Sequence, residues 1–110
     1  MLPASVRIFV CTEPQDMRRS FDGLALATTQ LLDQDPRSGA LFVFLNKRSN
    51  RAKVLWWDSN GYCLLYKRLH QALFMRPPTP PGGSRAVGID GRALAALLAG
   101  VEKRRRGLDG

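Results

Sequence analysis

Two β-rich runs meet at Asn60-Gly61 in the stretch from Lys53 to Arg68, and a chain with such a segment must build a sheet around it. Asn and Gly both accept the positive φ of a type I′ turn, so a two-residue hairpin is the favoured reading. With Asn60 and Gly61 as the central residues, Ser59 faces Tyr62, Trp57 faces Leu64, Leu55 faces Tyr66 and Lys53 faces Arg68. Like charges directly opposed across strands destabilise a pair unless solvent or an anion relieves them. Truncating both Lys53 and Arg68 is then expected to leave the melting temperature unchanged or higher. Trp57 and Tyr66 share the face of these cations, while Val54, Trp56, Cys63, Leu65 and Leu69 form the expected core side. A slip of one residue would exchange the faces. In the alternative reading both tryptophans pack in a core and both cations are simply solvated.

The remaining segments place the rest of the fold. Val6 to Cys11 reads as a strand that ends before Pro14, and Asp16 is a plausible N-cap for the helix that follows. Met17, Phe21, Leu24, Thr28, Leu31 and Leu32 recur at helical spacing. Asp33 to Gly39 is turn chemistry, and Ala40 to Leu45 is a continuous apolar run, suited to a central strand covered on both faces. Leu69 to Met75 fits a continued strand or a short helix equally well. Pro77 to Ser84 offers nothing to bury and reads as a linker. Beyond it Val87 to Ile89 can add a short strand, and Asp90 can cap a helix whose stripe is Leu94, Leu97, Leu98 and Val101, ending near Gly100.

The fold class expected is therefore α+β: a mainly antiparallel sheet of four to five strands, with one helix after the first strand and one C-terminal helix. The helical connection from the first strand to Leu41–Leu45 would make the sheet mixed if those strands are neighbours. Residues 1–76 form the strand-helix-sheet core, 77–86 the Pro/Gly linker, 87–102 a short strand and docked helix of the same domain, and 103–110 a basic tail. A chain of 110 residues, 45% hydrophobic, can bury one sufficient core.

Charge narrows the partners. Seventeen Lys and Arg against nine Asp and Glu leave a net +8, with a pI near 10.5. That excess favours polyanions. Beside the hairpin cations, Lys47, Arg48 and Arg51 gather in a loop with no apolar anchor, Arg18 and Arg19 stand at the expected helix start, and Lys67 and Arg68 lie on the last hairpin strand. These side chains are candidate phosphate contacts, and Trp57 or Tyr66 could stack on exposed bases. Arg18 and Arg19 are the weaker members, since cations at a helix N-terminus oppose its dipole and Arg18 can instead pair with Asp22. The run from Lys103 to Arg106 is either a phosphate-binding arm or a solubilising end.

Other chemistries find little support. Cys11 and Cys63 lie in apolar runs and read as buried free thiols, and with His70 they make a poor zinc constellation. Two-metal phosphoryl transfer needs converging carboxylates, whereas Asp16 and Asp58 are explained as cap and turn residues and Asp22 would lie nearly opposite Asp16 on a helix. No nucleophile partners His70, and Gly82-Gly83-Ser84 lacks the lysine of a phosphate loop. No cofactor is expected. No apolar run approaches the length of a membrane span and Met1 to Val10 lacks the pattern of a signal peptide, so a cytoplasmic location is expected.

Four ordered blocks carry a resemblance: Asp16 to Leu24, Gly39 to Phe44, Lys53-Val54-Leu55-Trp56-Trp57-Asp58, and Cys63 to Leu69. Together they resemble the TnpB-type accessory proteins of insertion sequence family 66, over Val6 to about Phe74 and more loosely over the last helix. The resemblance implies a bacterial, non-catalytic protein that assists a separate transposase. It is distinct from the longer RNA-guided nucleases that share the TnpB name. The family pattern carries glycine where Ser20 stands and an aromatic near Arg76. Two roles follow as expectations: binding DNA, at transposon ends or non-specifically, or acting as an adaptor that binds the transposase of the same element through Trp57, Tyr66, Arg68 and the docked helix. Nucleoid association and a homo-oligomer are compatible with either.

Overall fold

The strand Leu41–Leu45 (β2) is buried at all five positions, and its neighbours follow from that fact. Successive strand side chains point to opposite faces, so a run with no polar position needs cover on both. Leu41, Val43 and Leu45 join one core cluster with Ile8, Val10 and Val54, while Phe42 and Phe44 join a second with Cys11, Leu24 and Leu55. The computed structural model of the chain describes residues 5–103. Within them β2 is the middle strand of five. Ile8–Cys11 (β1) pairs with it in parallel, and the helix Phe21–Leu32 (α1) forms the crossover between them. Arg51–Asp58 (β3) lies antiparallel on the other side and turns into Gly61–Arg68 (β4), the sheet edge.

Ala72–Leu73 (β5) leads into the Pro- and Gly-rich segment, after which Ala86–Ile89 (β6) returns antiparallel to β1 as the opposite edge. The order is β4-β3-β2-β1-β6. The helix Gly91–Ala99 (α2) follows, with Asp90 Oδ1 accepting the Ala93 N–H at 2.8 Å as its N-cap. Leu97 is buried from α2, and Leu94 and Leu98 pack beside it. α1 therefore covers one face of the sheet and α2 the other. The fold is α+β with a mixed, mostly antiparallel sheet, as the segment order implies.

Several local expectations are corrected. The hairpin turns at Ser59-Asn60 rather than Asn60-Gly61: Asp58 pairs with Gly61, Trp57 with Tyr62, Leu55 with Leu64, Lys53 with Tyr66 and Arg51 with Arg68. Ser59 takes the left-handed conformation at φ 56°. The displacement is two residues, so every side chain keeps its expected face. Both hairpin faces carry core residues, Val54 on the α2 side and Leu55 on the α1 side, so neither is purely the contact face.

Ser20, not Asp16, precedes the first turn of α1, and Met17 lies before the helix. Val101 leaves the helical stripe for the two-residue strand Val101–Glu102 (β7), which pairs with β5 and gives Leu69 to Met75 the strand the pattern left open. Gly100 makes that exit possible at φ 77°, with an added Cβ meeting Leu69 Cδ1 at 2.5 Å. Cys11 is buried as a free thiol and burial pushes its pKa up, while Cys63 is only half-buried. Of the basic tail, Arg104 to Arg106 lie outside the described residues.

Candidate nucleic-acid interface

The loop between β2 and β3 is short, polar and tied at every turn. Asn46 Oδ1 accepts the backbone N–H groups of Asn50 at 3.1 Å and Arg51 at 2.9 Å, and its amide donates to Asn50 Oδ1 at 2.7 Å. Asparagine suits such a role because its side chain mimics a backbone turn. From beneath, Arg76 Nη2 donates to the Asn46 carbonyl at 2.6 Å and to Ser49 Oγ at 3.3 Å, while the Phe74 N–H reaches the Ser49 carbonyl at 2.7 Å. Burial lowers the Arg76 pKa, but a guanidinium keeps its charge. Its Nη1 is buried without a partner among the described residues. Held this way, the loop presents Lys47 and Arg48 to solvent, and no side-chain hydrogen bond or ion pair engages either among the described residues.

The lead-in to α1 faces this loop. The Gln15 N–H donates to the Leu45 carbonyl at 2.8 Å, bringing residues 15–19 alongside the end of β2. Asp16 then grips Arg18: its carboxylate accepts from Nε and from Nη2, at 2.9 and 2.6 Å for Oδ2, and from the Arg18 backbone N–H at 2.8 Å. That forked contact replaces the expected pairing with Asp22. It holds the Asp16 carboxyl down at about 2, mainly through the Arg18 side-chain hydrogen bond.

Along the α1 face of the hairpin, Arg51 stands opposite Arg68 and Lys53 opposite Tyr66. Arg51 Nη1 donates to the Tyr66 hydroxyl at 2.8 Å, and Lys53 Nζ lies 4.7 Å from the centre of the Tyr66 ring. Tyr66 remains 48% exposed. Loop, lead-in and strand edge together enclose an open depression of about 400 Å³, with Met17 and Tyr66 in its lining and Arg18, Lys47, Arg48 and Arg51 around it. Among the described residues Asp16 is the one carboxylate there. A second open depression, of about 660 Å³ and also lined by Arg51, extends to Arg68 and His70. The surface is strongly cationic, with an aromatic ring in it.

The model of the IS66 Orf2-like protein family matches residues 6–107. The chain belongs to that family. It is similar to the uncharacterized proteins y4hO and y4jC of Sinorhizobium fredii (strain NBRC 101917 / NGR234). With y4hO it shares 38% identity over 94% of this chain and 90% of the relative, and with y4jC 35% over 88% and 80%. No solved structure matches the chain with significance. As an IS66 Orf2-like protein it is a transposition-associated accessory protein, of a family that is not a known enzyme.

Within this IS66 Orf2-like chain, not every cation expected at the interface reaches it. Lys53 is 6% exposed and its Nζ donates to the Arg19 carbonyl at 2.7 Å, so it pins the α1 lead-in to the sheet. Lys67 points to the opposite face, where its Nζ caps α2 through the Leu98 carbonyl at 2.7 Å. Arg19 is turned toward Gln15, with Nη1 3.1 Å from Oε1. Trp57 sits six residues from Arg51 along β3, about 20 Å at 3.3 Å per residue. Its ring is engaged by the Arg37 guanidinium at 4.6 Å and edge-on by Tyr62 at 5.0 Å.

Arg76 was missed by sequence reading, yet it anchors the basic loop. A cation just before a proline run is the only signal that could have marked it. On the α2 face an apolar depression of about 580 Å³ lies among Val54, Trp56, Leu65, Leu94 and Leu98, with no cation in its lining among the described residues. No group of three His, Cys, Asp or Glu residues among those described is placed to hold a metal ion, and no helix among them is long and apolar enough to cross a membrane.

Proposed function

We propose that the protein assists transposition by binding DNA through the cationic face around Arg51. The observation that carries this reading is the convergence of Arg18, Lys47, Arg48 and Arg51 on one depression from three separate segments. Like charges brought together on a folded surface repel one another, and a polyanion relieves that repulsion. The loop geometry adds weight, since the hydrogen bonds to Asn46 and Arg76 hold Lys47 and Arg48 outward before any partner arrives, which lowers the ordering cost of binding. Lys53, Lys67 and Trp57 serve the fold, while Arg68 extends the cationic face past Arg51.

Fluorescence anisotropy with labelled transposon-end duplex and a random duplex, at several salt concentrations, tests the reading. Binding should weaken steeply with salt, and Lys47→Ala with Arg48→Ala should weaken it on both duplexes alike. Absence of salt-dependent binding would remove DNA as the direct partner.

One observation favours a second reading. The apolar depression beside α2 opens next to Leu65, which is 41% exposed on the edge strand, and such a surface fits an adaptor that docks on the transposase of the same element. Association there should survive high salt and fall with Leu65→Glu, which leaves the cationic face untouched.

A further inference from the structure

We infer that the depression bounded by Tyr66, Met17 and the basic loop is a seat for one unpaired nucleotide, so that the DNA bound here carries a single-stranded end or a flipped-out base. The inference rests on the DNA-binding reading above and names the form of DNA. Its first support is size and lining. An open space of about 400 Å³ with an aromatic ring and a thioether at its wall and four cations around it matches a base, a sugar and a phosphate, and offers a duplex only its rim. A paired base hides both of its faces in the stack, whereas an unpaired one presents them to an aromatic ring.

The second support is the fixing of the ring. Arg51 holds the Tyr66 hydroxyl at 2.8 Å and Lys53 lies 4.7 Å from the ring centre, itself locked to the Arg19 carbonyl at 2.7 Å. A tyrosine held this firmly while 48% exposed is a prepared stacking platform. Trp57, the larger ring, does not line the depression and lies about 20 Å along β3 from Arg51. The third support is the reach of Lys47 and Arg48. Both are exposed at the rim and unengaged by side-chain bonds among the described residues, where a phosphate flanking the seated base would lie.

The test compares three probes of one sequence: a blunt duplex, the duplex with a short single-stranded overhang, and the overhang strand alone. Each is titrated at one salt concentration against the wild-type protein, Tyr66→Leu and Tyr66→Phe. The overhang duplex should bind about ten-fold tighter than the blunt one. Tyr66→Leu should erase that advantage, so that the variant binds overhang and blunt duplexes alike, while Tyr66→Phe, which keeps the ring, should preserve most of it. Equal wild-type affinity for blunt and overhang duplexes would overturn the nucleotide seat and leave the DNA-binding reading standing. Binding of none of the probes would overturn both. Iodouracil placed in the overhang gives a readout on the wild-type protein if Tyr66→Leu fails to fold. Photocrosslinking to Tyr66 or Met17 supports the seat, and a crosslink confined to Trp57 or to the α2 face overturns it.

Discussion

Lys53 shows how burial reverses the meaning of a charge. Beside Tyr66 and two tryptophans it reads as a phosphate contact, yet in the fold its stem is packed and its ammonium is spent on the Arg19 carbonyl. Lys53→Ala should therefore destabilise the protein by about 1–3 kcal/mol, because a carbonyl loses its partner and packing is lost with the stem. Urea unfolding measures this; an unchanged or raised midpoint would restore the solvated reading. Asp16 works in the other direction. It is the carboxylate within the cationic depression, and Asp16→Asn both removes that charge and releases Arg18, so duplex affinity at low salt should rise severalfold. The Asp16 pKa is depressed in the folded protein, from 3.8 to about 2. The contribution of the Asp16–Arg18 pair is thus fully present above the ordinary carboxylate range and is lost only as pH falls through about 2. The gain from Asp16→Asn should accordingly be equal at pH 5 and pH 7, which anisotropy at both values checks.

At the scale of elements, local chemistry and packing divide the work. α2 begins where Asp90 caps it and ends where Gly100 takes a φ of 77°, and both signals are visible in the chain. Gly100 has a further duty, since α2 must pass against Leu69 and Leu73 before β7 can pair with β5. Gly100→Ala should cost about 1–3 kcal/mol from backbone strain, with the clash against Leu69 added, and thermal unfolding should report it. The hairpin is the opposite case. Asn60-Gly61 is a strong turn signal, yet the turn closes one residue earlier, with Ser59 at φ 56°. That register lets Lys53 stand opposite Tyr66 and Trp57 opposite Tyr62, and it sets Arg51 rather than Lys53 against Arg68. Cross-strand packing over eight pairs outweighs the preference of a single turn position.

For the molecule as a whole, a net charge of +8 states that a polyanion is a fitting partner but not where it sits. The fold makes the distribution uneven. Arg18, Lys47, Arg48 and Arg51 converge on one depression, while the apolar depression on the α2 face carries no cation among the described residues. If these four each neutralise one phosphate, the logarithm of the duplex binding constant should fall with the logarithm of salt at a slope of about −3 to −4. A titration series read this way also counts the contacts, and Lys47→Ala should reduce the slope by about 1.

What the sequence determined by itself is what depends on neighbours along the chain. The apolar run of β2 demands cover on both faces, the Asp90 cap and Gly100 stop bound α2, and the four ordered blocks mark the family. Those signals are periods, caps and breakers, and they act within a few residues. Tertiary structure alone decided the register of the hairpin, the burial of Lys53, the diversion of Lys67 to α2, the placement of Trp57 outside the cationic depression and the anchoring of the basic loop by Arg76. The physical reason is that a strand pattern of period two is unchanged by a slip of two residues, so alternation identifies the faces but not the partners. Which cation meets solvent and which meets a carbonyl is then set by the segment that packs above it.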